Sequence, residues 1–395
     1  MSVLLGKSVF PPARQHPRTP ELVKICEEYF FKRWPFESEA ARQHFIQSDL
    51  VGFTAKCQSK VIFLGYSDLT HAYEGIPDTD HWERLVLAGK VFTWAFLLDD
   101  MMDVEVLYNT SMKDLLKIVY GTKKPNPNHH WEVIGHEIWR DIERSCTALE
   151  FDQITRAFKE WYNSQGLPRP ENFDDWLTFR FYNSSSNWTW SIARYAMDCH
   201  ITDEELAHPV VREAEDSGGV TAILVNDIVS VTKDKMHNCE KQNGVIMIQK
   251  CGRVSTEEEA FAGISDIVVR RSRQMMEAVD QALADPMMSS EIKRWMTGLL
   301  YVVTGNSWWS QLFPRCSASP RMTINIEGEG DKVLEPIHRI QTVQPESSND
   351  LTDRLRGGLP QFEAFCTDEV TSLYMFTTSD GHGQLGKITM RDSQG

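Results

Sequence analysis

Two short segments carry residues whose types and spacing suit the chemistry of a hard cation. The first is Asp99-Asp100-Met101-Met102-Asp103. On a helix, Asp99 and Asp103 lie only about 40° apart, while Asp100 turns about 100° away from Asp99. Two carboxylates one turn apart are oxygen ligands of the kind Mg²⁺ takes when it shares its shell with substrate phosphates. Chance alone gives three acids at this spacing about once in a chain with 56 acidic residues among 395. Position is what distinguishes the segment: it ends LVLAGKVFTWAFLL (Leu85 to Leu98), the most hydrophobic helical stretch in the chain. Acidic residues ordinarily lie on solvated faces.

The second segment is Asn226-Asp227-Ile228-Val229-Ser230-Val231-Thr232-Lys233-Asp234. Asn226, Ser230 and Asp234 stand at i, i+4 and i+8 and fan over about 80° of one helical face. An amide oxygen, a hydroxyl and a carboxylate can chelate a hard cation with a single negative charge, which suits a site that also accepts a polyanion. Lys233 falls about 20° from Asn226 on the other side and can meet that anion directly. A polar stripe on a surface helix would explain these residues, but not why Ala222 to Val225 (AILV) runs straight into them. Two arginines stand in aromatic sequence, Arg180 within WLTFRFY and Arg315 after WWSQLFP. Each is either paired with a buried acid or a bidentate phosphate contact.

The elements that position these groups read as helices. Thr19-Pro20 is a good cap and first-turn pair for ELVKICEEYFFKRW. Helix-period segments follow from Asp80 to Asp103, Trp131 to Cys146, Leu149 to Gly166, Asp174 to Asp198, Val220 to Met236, Glu257 to Ala284 and Ser289 to Leu312. No run alternates at strand spacing, which predicts an all-α bundle. Leu85 to Leu98 is apolar almost all the way round, as expected of a central helix or one wall of an internal cavity. After Cys316 the text turns to GEGD, PESSND, LRGGLP and SDGHGQ. The expected organisation is an N-terminal segment 1–18, a catalytic domain 19–316 and a loosely ordered tail 317–395, with one short helix near Phe362 to Tyr374.

Composition excludes several functions. With 41 basic against 56 acidic residues the formal net charge is −15, which disfavours nucleic acid and anionic membrane surfaces as partners. The eight cysteines are scattered without a C-x-x-C pair, and the start lacks a leader's apolar core and cleavage site, so a reduced, cytoplasmic chain is expected. No apolar run approaches the 18 or so residues of a membrane span. There is no G-x-S-x-G elbow and no Gly-rich phosphate loop, and His136-Glu137 lacks the second histidine of a zinc helix.

Taken together, the motifs resemble those of the class I terpene synthases, and most of all the fungal sesquiterpene cyclases, over roughly Glu21 to Cys316. Asp99 to Asp103 is similar to the family's aspartate-rich metal motif. Asn226, Ser230 and Asp234 are similar to its second metal triad, whose last member is more often Glu. Lys233 matches the lysine before that acid. Arg180, 46 residues before Asn226, stands where the family keeps its diphosphate-sensing arginine. Asn183 and Ser184 take the places of the linker and helix-break effector. Trp309-Ser310 and Arg315 resemble the closing W-S…R-Y pattern, with Cys316 in place of the tyrosine. The long tail is also unusual for the family.

The resemblance implies the class I terpenoid synthase bundle with a central apolar cavity. It implies an enzyme, a lyase that ionises a prenyl diphosphate and cyclises the cation to a sesquiterpene hydrocarbon or alcohol. Farnesyl diphosphate is the favoured substrate, with geranylgeranyl diphosphate or a chain-elongating prenyl transfer as the alternatives. Three Mg²⁺ ions would be held by Asp99, Asp103, Asn226, Ser230 and Asp234, while Arg180, Lys233 and Arg315 would bind the diphosphate. Asp99, Arg180 and the triad are then the catalytic residues. Phe92, Phe96, Asn183, Ser184, Trp188 and Trp309 are the candidates for the cavity lining, where aromatic faces would stabilise a desolvated cation by about 2 kcal/mol or more. No protein nucleophile is required. The partner is a small molecule, with no nucleic acid and no membrane insertion, and the chain is expected to act as a monomer or homodimer.

Overall fold

In the computed structural model, the residues described are 18–48, 50–57, 81–102, 114–165, 167–236 and 242–312, with four short strands beyond them. Start and stop signals set the helix boundaries. Helix α1 (Thr19–Arg33) has Pro20 in its first turn and Lys32 and Arg33 in its last, which complements the macrodipole. Helices α2 (Glu39–Gln47), α3 (Leu50–Cys57), α4 (Trp82–Met102), α5 (Leu115–Val119), α6 (His130–Ser145) and α7 (Ala148–Gln165) follow. Then come α8 (Phe173–Asn183), α9 (Ser186–Ala196), α10 (Asp203–Leu206), α11 (Pro209–Met236), α12 (Gly244–Lys250), α13 (Glu257–Ala284) and α14 (Ser290–Leu312). Thr202 with Glu205, and Thr256 with Glu259, form reciprocal capping boxes that start α10 and α13.

The helix expected to be central is α4. It packs against α1, α3, α6 and α9, and Leu85, Ala88, Val91, Phe92, Trp94, Ala95 and Leu98 are all buried. Close approach to α6 depends on Gly135, where a Cβ would lie 2.6 Å from the Trp94 ring. The Trp94 indole N–H, buried with its ring, donates to the Trp131 carbonyl at 2.9 Å.

The sequence reading places one helix from Asp174 to Asp198, but the chain breaks it. α8 stops at Asn183 and α9 starts at Ser186, with Ser185 in the left-handed region at φ 64°. Three consecutive serines explain the break, because short hydroxyl side chains compete for backbone groups. The Ser184 hydroxyl donates to the Phe181 carbonyl at 3.1 Å. A second difference runs the other way. α11 begins at Pro209 and continues through Gly218-Gly219, where the periodicity predicts a start at Val220. The two glycines are enclosed: a Cβ on Gly219 would lie 2.3 Å from the Phe181 ring, and one on Gly218 3.1 Å from the Met275 sulfur.

Two buried clusters result. One gathers α1, α3, α4, α6, α7, α9 and α14, and the other gathers α8, the later part of α11, α12 and the first half of α13. Two side-chain hydrogen bonds fix α11 beside α14. Asn306 Nδ2 donates to the Ala222 carbonyl at 3.1 Å, and one turn on Asn226 Nδ2 donates to Ser310 Oγ at 3.3 Å. No described helix is long and apolar enough to cross a membrane.

The chain divides into two compact units, Met1–Thr342 and Val343–Gly395. All described elements up to Leu312 are helical. The first unit also contains an antiparallel hairpin of β1 (Thr323–Ile326) and β2 (Gly330–Val333). The second contains a hairpin of β3 (Leu373–Thr377) and β4 (Gly383–Lys387). Of the short helix expected near Phe362 to Tyr374, most lies outside the described residues, and Leu373 and Tyr374 open a strand instead. The aromatic run LYMFT before a glycine-containing connection is a strand-and-turn signal that the loose composition of the tail obscures.

Gly219→Ala should force the buried Phe181 ring to move, at the cost of about 1–3 kcal/mol typical of overpacking. Denaturant unfolding will show it as a lowered midpoint, and an unchanged midpoint would mean the ring yields freely.

Candidate active site

The triad sits on the later turns of α11. Ser230 and Asp234 are buried and Asn226 is half-buried. The Ser230 hydroxyl donates to Asp234 Oδ2 at 2.6 Å, so two of the three predicted ligands already touch. Asn226 joins α14 through Ser310, beside Trp309. Lys233 is half-buried on the same turn, with no ion pair to a described residue.

Three residues, two beside the triad and one at the α8–α9 break, carry no role in the sequence reading. Asn243, fully buried at the N-cap of α12, accepts from the Val245 N–H at 3.0 Å through Oδ1. Its Nδ2 donates to Asp234 Oδ2 at 2.8 Å and to the Asp227 carbonyl at 2.8 Å, with Ser230 Oγ at 3.3 Å. Asp227, also fully buried, receives the Gly244 N–H at 2.8 Å on Oδ2 and faces an Arg180 guanidinium nitrogen at 3.4 Å on Oδ1. Burial pushes the Asp227 carboxyl up to about 6, against the opposing pull of Arg180 and the Gly244 N–H, and with Asp234 adding to the rise. The third is Gln165, whose amide exchanges hydrogen bonds with Asn183. Asn183 Nδ2 donates to its Oε1 at 3.0 Å, and Gln165 Nε2 donates to the Asn183 carbonyl at 3.2 Å. Asp227 had a sequence signal, an acid adjoining an apolar run. Asn243 had none, since QNG reads as a turn.

Arg180 lies in the last turn of α8. Its side chain is 15% exposed, and its Nε is buried without a hydrogen-bond partner. At 3.4 Å the Asp227 contact is long for a charge-assisted bond. Among the described residues, the guanidinium thus makes one long contact and leaves Nε unpartnered. Asn183 and Ser184 lie at the α8–α9 break, one turn beyond Arg180.

The aromatic candidates separate into two settings. Phe96 and Trp309 lie 5.7 Å apart between centroids, and Phe53 of α3 touches Phe92, Phe96 and Trp309 at 5.2, 5.3 and 5.2 Å. Asp99 follows Phe96 by three residues and is exposed at the end of α4. The α4 motif is thus linked through Phe96, Trp309 and Ser310 to Asn226. Trp188 touches Phe92 at 5.6 Å but also packs on Trp139, Phe158 and Trp161 at 6.2, 5.1 and 5.7 Å. Asp103, Arg315 and Cys316 lie outside the described residues.

The donor set fits a hard divalent cation. Asp234 is a buried carboxylate whose partners among the described residues, Ser230 and Asn243, are neutral, and it makes no ion pair among them. A buried anion without a counter-charge is costly, and buried charges are paired or coordinate metals. Mg²⁺ is the match for amide, hydroxyl and carboxylate oxygens. Burial pushes the Cys26, Cys146 and Cys199 thiols up to about 12, away from thiolate chemistry.

The family model described as terpene synthase family 2, C-terminal metal binding, matches residues 90–274. That range spans the Asp99 motif, Arg180 and the triad. Over 327 residues the chain is 25% identical to a 10-epi-cubebol synthase of Sorangium cellulosum, covering 78% of this chain and 95% of that one. It is 22% identical over 309 residues to a (+)-aristolochene synthase of Penicillium expansum, covering 75% and 86%. The fold is similar to the crystal structure of aristolochene synthase from Penicillium roqueforti, with a TM-score of 0.60 at 20% identity over 76% of this chain and 99% of that one.

Replacing Asp234 by the neutral, isosteric Asn removes the buried charge. The metal-free variant should melt no lower than the parent, whereas the upward shift given by MgCl₂ with inorganic diphosphate should disappear. A full shift retained in Asp234→Asn, read by differential scanning fluorimetry, would take the cation away from this residue.

Proposed function

We propose that the chain is a terpene synthase, a lyase that ionises farnesyl diphosphate and cyclises the carbocation to a sesquiterpene hydrocarbon or alcohol, releasing diphosphate. The observation that carries this reading is the juxtaposition on α11 and α8 of a buried carboxylate with no cation among the described residues and an arginine whose Nε makes no hydrogen bond among them. One calls for a metal and the other for an anion, and a metal–diphosphate unit answers both. Asp99, Asp103, Asn226, Ser230 and Asp234 would hold Mg²⁺, three ions on this reading, which would supply positive charge to stabilise the departing diphosphate.

The chain's own residues do the rest. Asp99 and Asp103 on one side and Asn226, Ser230 and Asp234 on the other present oxygen ligands. Arg180, Lys233 and Arg315 bind and orient the diphosphate. Arg180 sits one turn before the α8–α9 break, where Asn183 and Ser184 hold a strained left-handed Ser185. Drawing the guanidinium off Asp227 toward diphosphate would therefore be felt at the break first. Phe92, Phe96, Trp188 and Trp309 present apolar and π surface that excludes water and stabilises positive charge. Phe96 and Trp309 are the best placed of the four, because they lie between the two ligand sets.

The decisive assay supplies geranyl, farnesyl and geranylgeranyl diphosphates with Mg²⁺, with and without chelator, and analyses the organic extract. Metal-dependent C15 product from farnesyl diphosphate is expected. A C20 product alone would change the substrate, and a longer diphosphate formed only with isopentenyl diphosphate would make the chain a prenyl transferase. Arg180→Ala should lower kcat/KM about a hundredfold or more, and a variant as active as the parent would remove Arg180 from diphosphate binding. Phe96→Ala should alter the product mixture more than substrate consumption, so an unaltered profile would return Phe96 to plain packing.

A further inference from the structure

We infer that Asn243 is a positioning residue for the metal triad: its side-chain amide fixes the Asp234 carboxylate and ties the N-terminus of α12 to the ligand-bearing turns of α11. This rests on the reading of Asn226, Ser230 and Asp234 as metal ligands.

The orientation of the Asn243 amide is set by its own helix. As N-cap of α12, Oδ1 accepts from the Val245 N–H at 3.0 Å, which leaves both protons of Nδ2 pointing at α11. Two acceptors lie 2.8 Å away, Asp234 Oδ2 and the Asp227 carbonyl. Asp234 Oδ2 therefore accepts twice, from Asn243 and from the Ser230 hydroxyl at 2.6 Å. One carboxylate oxygen is pinned, and Oδ1 makes no hydrogen bond with a described residue. A carboxylate held this way cannot rotate without losing two bonds.

The same grip is completed from the neighbouring residue. Gly244 gives its N–H to Asp227 Oδ2 at 2.8 Å, and a Cβ there would lie 3.1 Å from that oxygen and 2.9 Å from Leu224. Residues 243 and 244 thus hold residue 227 through its carbonyl and its carboxylate, and hold Asp234 through its carboxylate. Asp227 and Asp234 stand about 20° apart on the helical face, so one asparagine reaches both.

This arrangement addresses the short side chain at position 234. A ligand on a short, buried stem has little freedom to search for its cation, and preorganisation replaces reach. A hydrogen bond to a charged group contributes more than a neutral one, and it is present before any metal arrives.

The test is a titration of the full chain with MgCl₂ in the presence of inorganic diphosphate, followed by calorimetry. Asn243→Ser and Asn243→Thr keep an N-cap hydroxyl for α12 but cannot reach Asp234. Both should raise the half-saturating Mg²⁺ concentration about tenfold or more, corresponding to about 1.4 kcal/mol. A residue that merely stabilises the fold would instead lower the melting temperature of the metal-free protein and leave half-saturation at the parent value, and that result overturns the proposal. If the parent itself takes up no Mg²⁺ with diphosphate, the reading of the triad fails, and the Asn243 proposal with it.

Discussion

The site turns on a buried anion that no described residue neutralises. Two acids about two turns apart on α11, Asp227 and Asp234, are almost wholly withdrawn from water. Among the described residues one faces a guanidinium and a peptide N–H, and the other a hydroxyl and an amide. Removing a carboxylate from water costs several kcal/mol even after relaxation. A carboxylate kept there without a cation among the described residues leaves room for an external one. The polar surroundings follow from that constraint: Ser230 and Asn243 orient the carboxylate, and Asp227 takes up Arg180 close by.

Holding these groups in place is a matter of register between helices. Asn306 and Asn226 lock α14 to α11 one turn apart, which sets Trp309 and Ser310 next to the triad. Trp309 then meets Phe96 and Phe53, and through them α4 and α3. The buried polar bonds and the aromatic contacts are complementary. Aromatic packing is strong but tolerant of rotation, whereas two hydrogen bonds one turn apart admit a single register.

Most of the helices were legible because helix period, caps and apolar runs are local signals. α4 could be read as central because almost every position from Leu85 to Leu98 is apolar, and the later turns of α11 could be read because AILV runs into Asn226. What escaped the sequence depends on contacts distant along the chain. Gly218-Gly219 looks like a helix start until Phe181 and Met275 are seen filling the space beside it. The break at Ser184 and Ser185 lies inside a segment whose apolar period is continuous, and only the family resemblance, which puts a helix-break effector at Ser184, marks it. Asn243 resembles a turn residue, and only the fold shows its amide against Asp234. Phe53 had no motif, and it matters because α3 lays it between three other rings.

A second carboxylate group shows why proximity of acids is a poor guide to metal binding. Among the described residues, ligand atoms of Glu150, Asp198 and His200 lie within 4.8 Å of one another. Yet Arg84 stands 3.0 Å from Glu150 and 2.9 Å from Asp198, so the protein supplies the cation itself. At Asp234 no described residue does. The same distinction qualifies the net charge of −15. An acidic surface repels a bare diphosphate, but on the proposed reading divalent ions held at Asp234 would reverse the local field and turn the acids into the means of binding an anion. Affinity for the substrate would then be coupled to the metal by electrostatics. Without the metal the acids around the site would oppose a diphosphate, and with it they would hold the charge that draws it in.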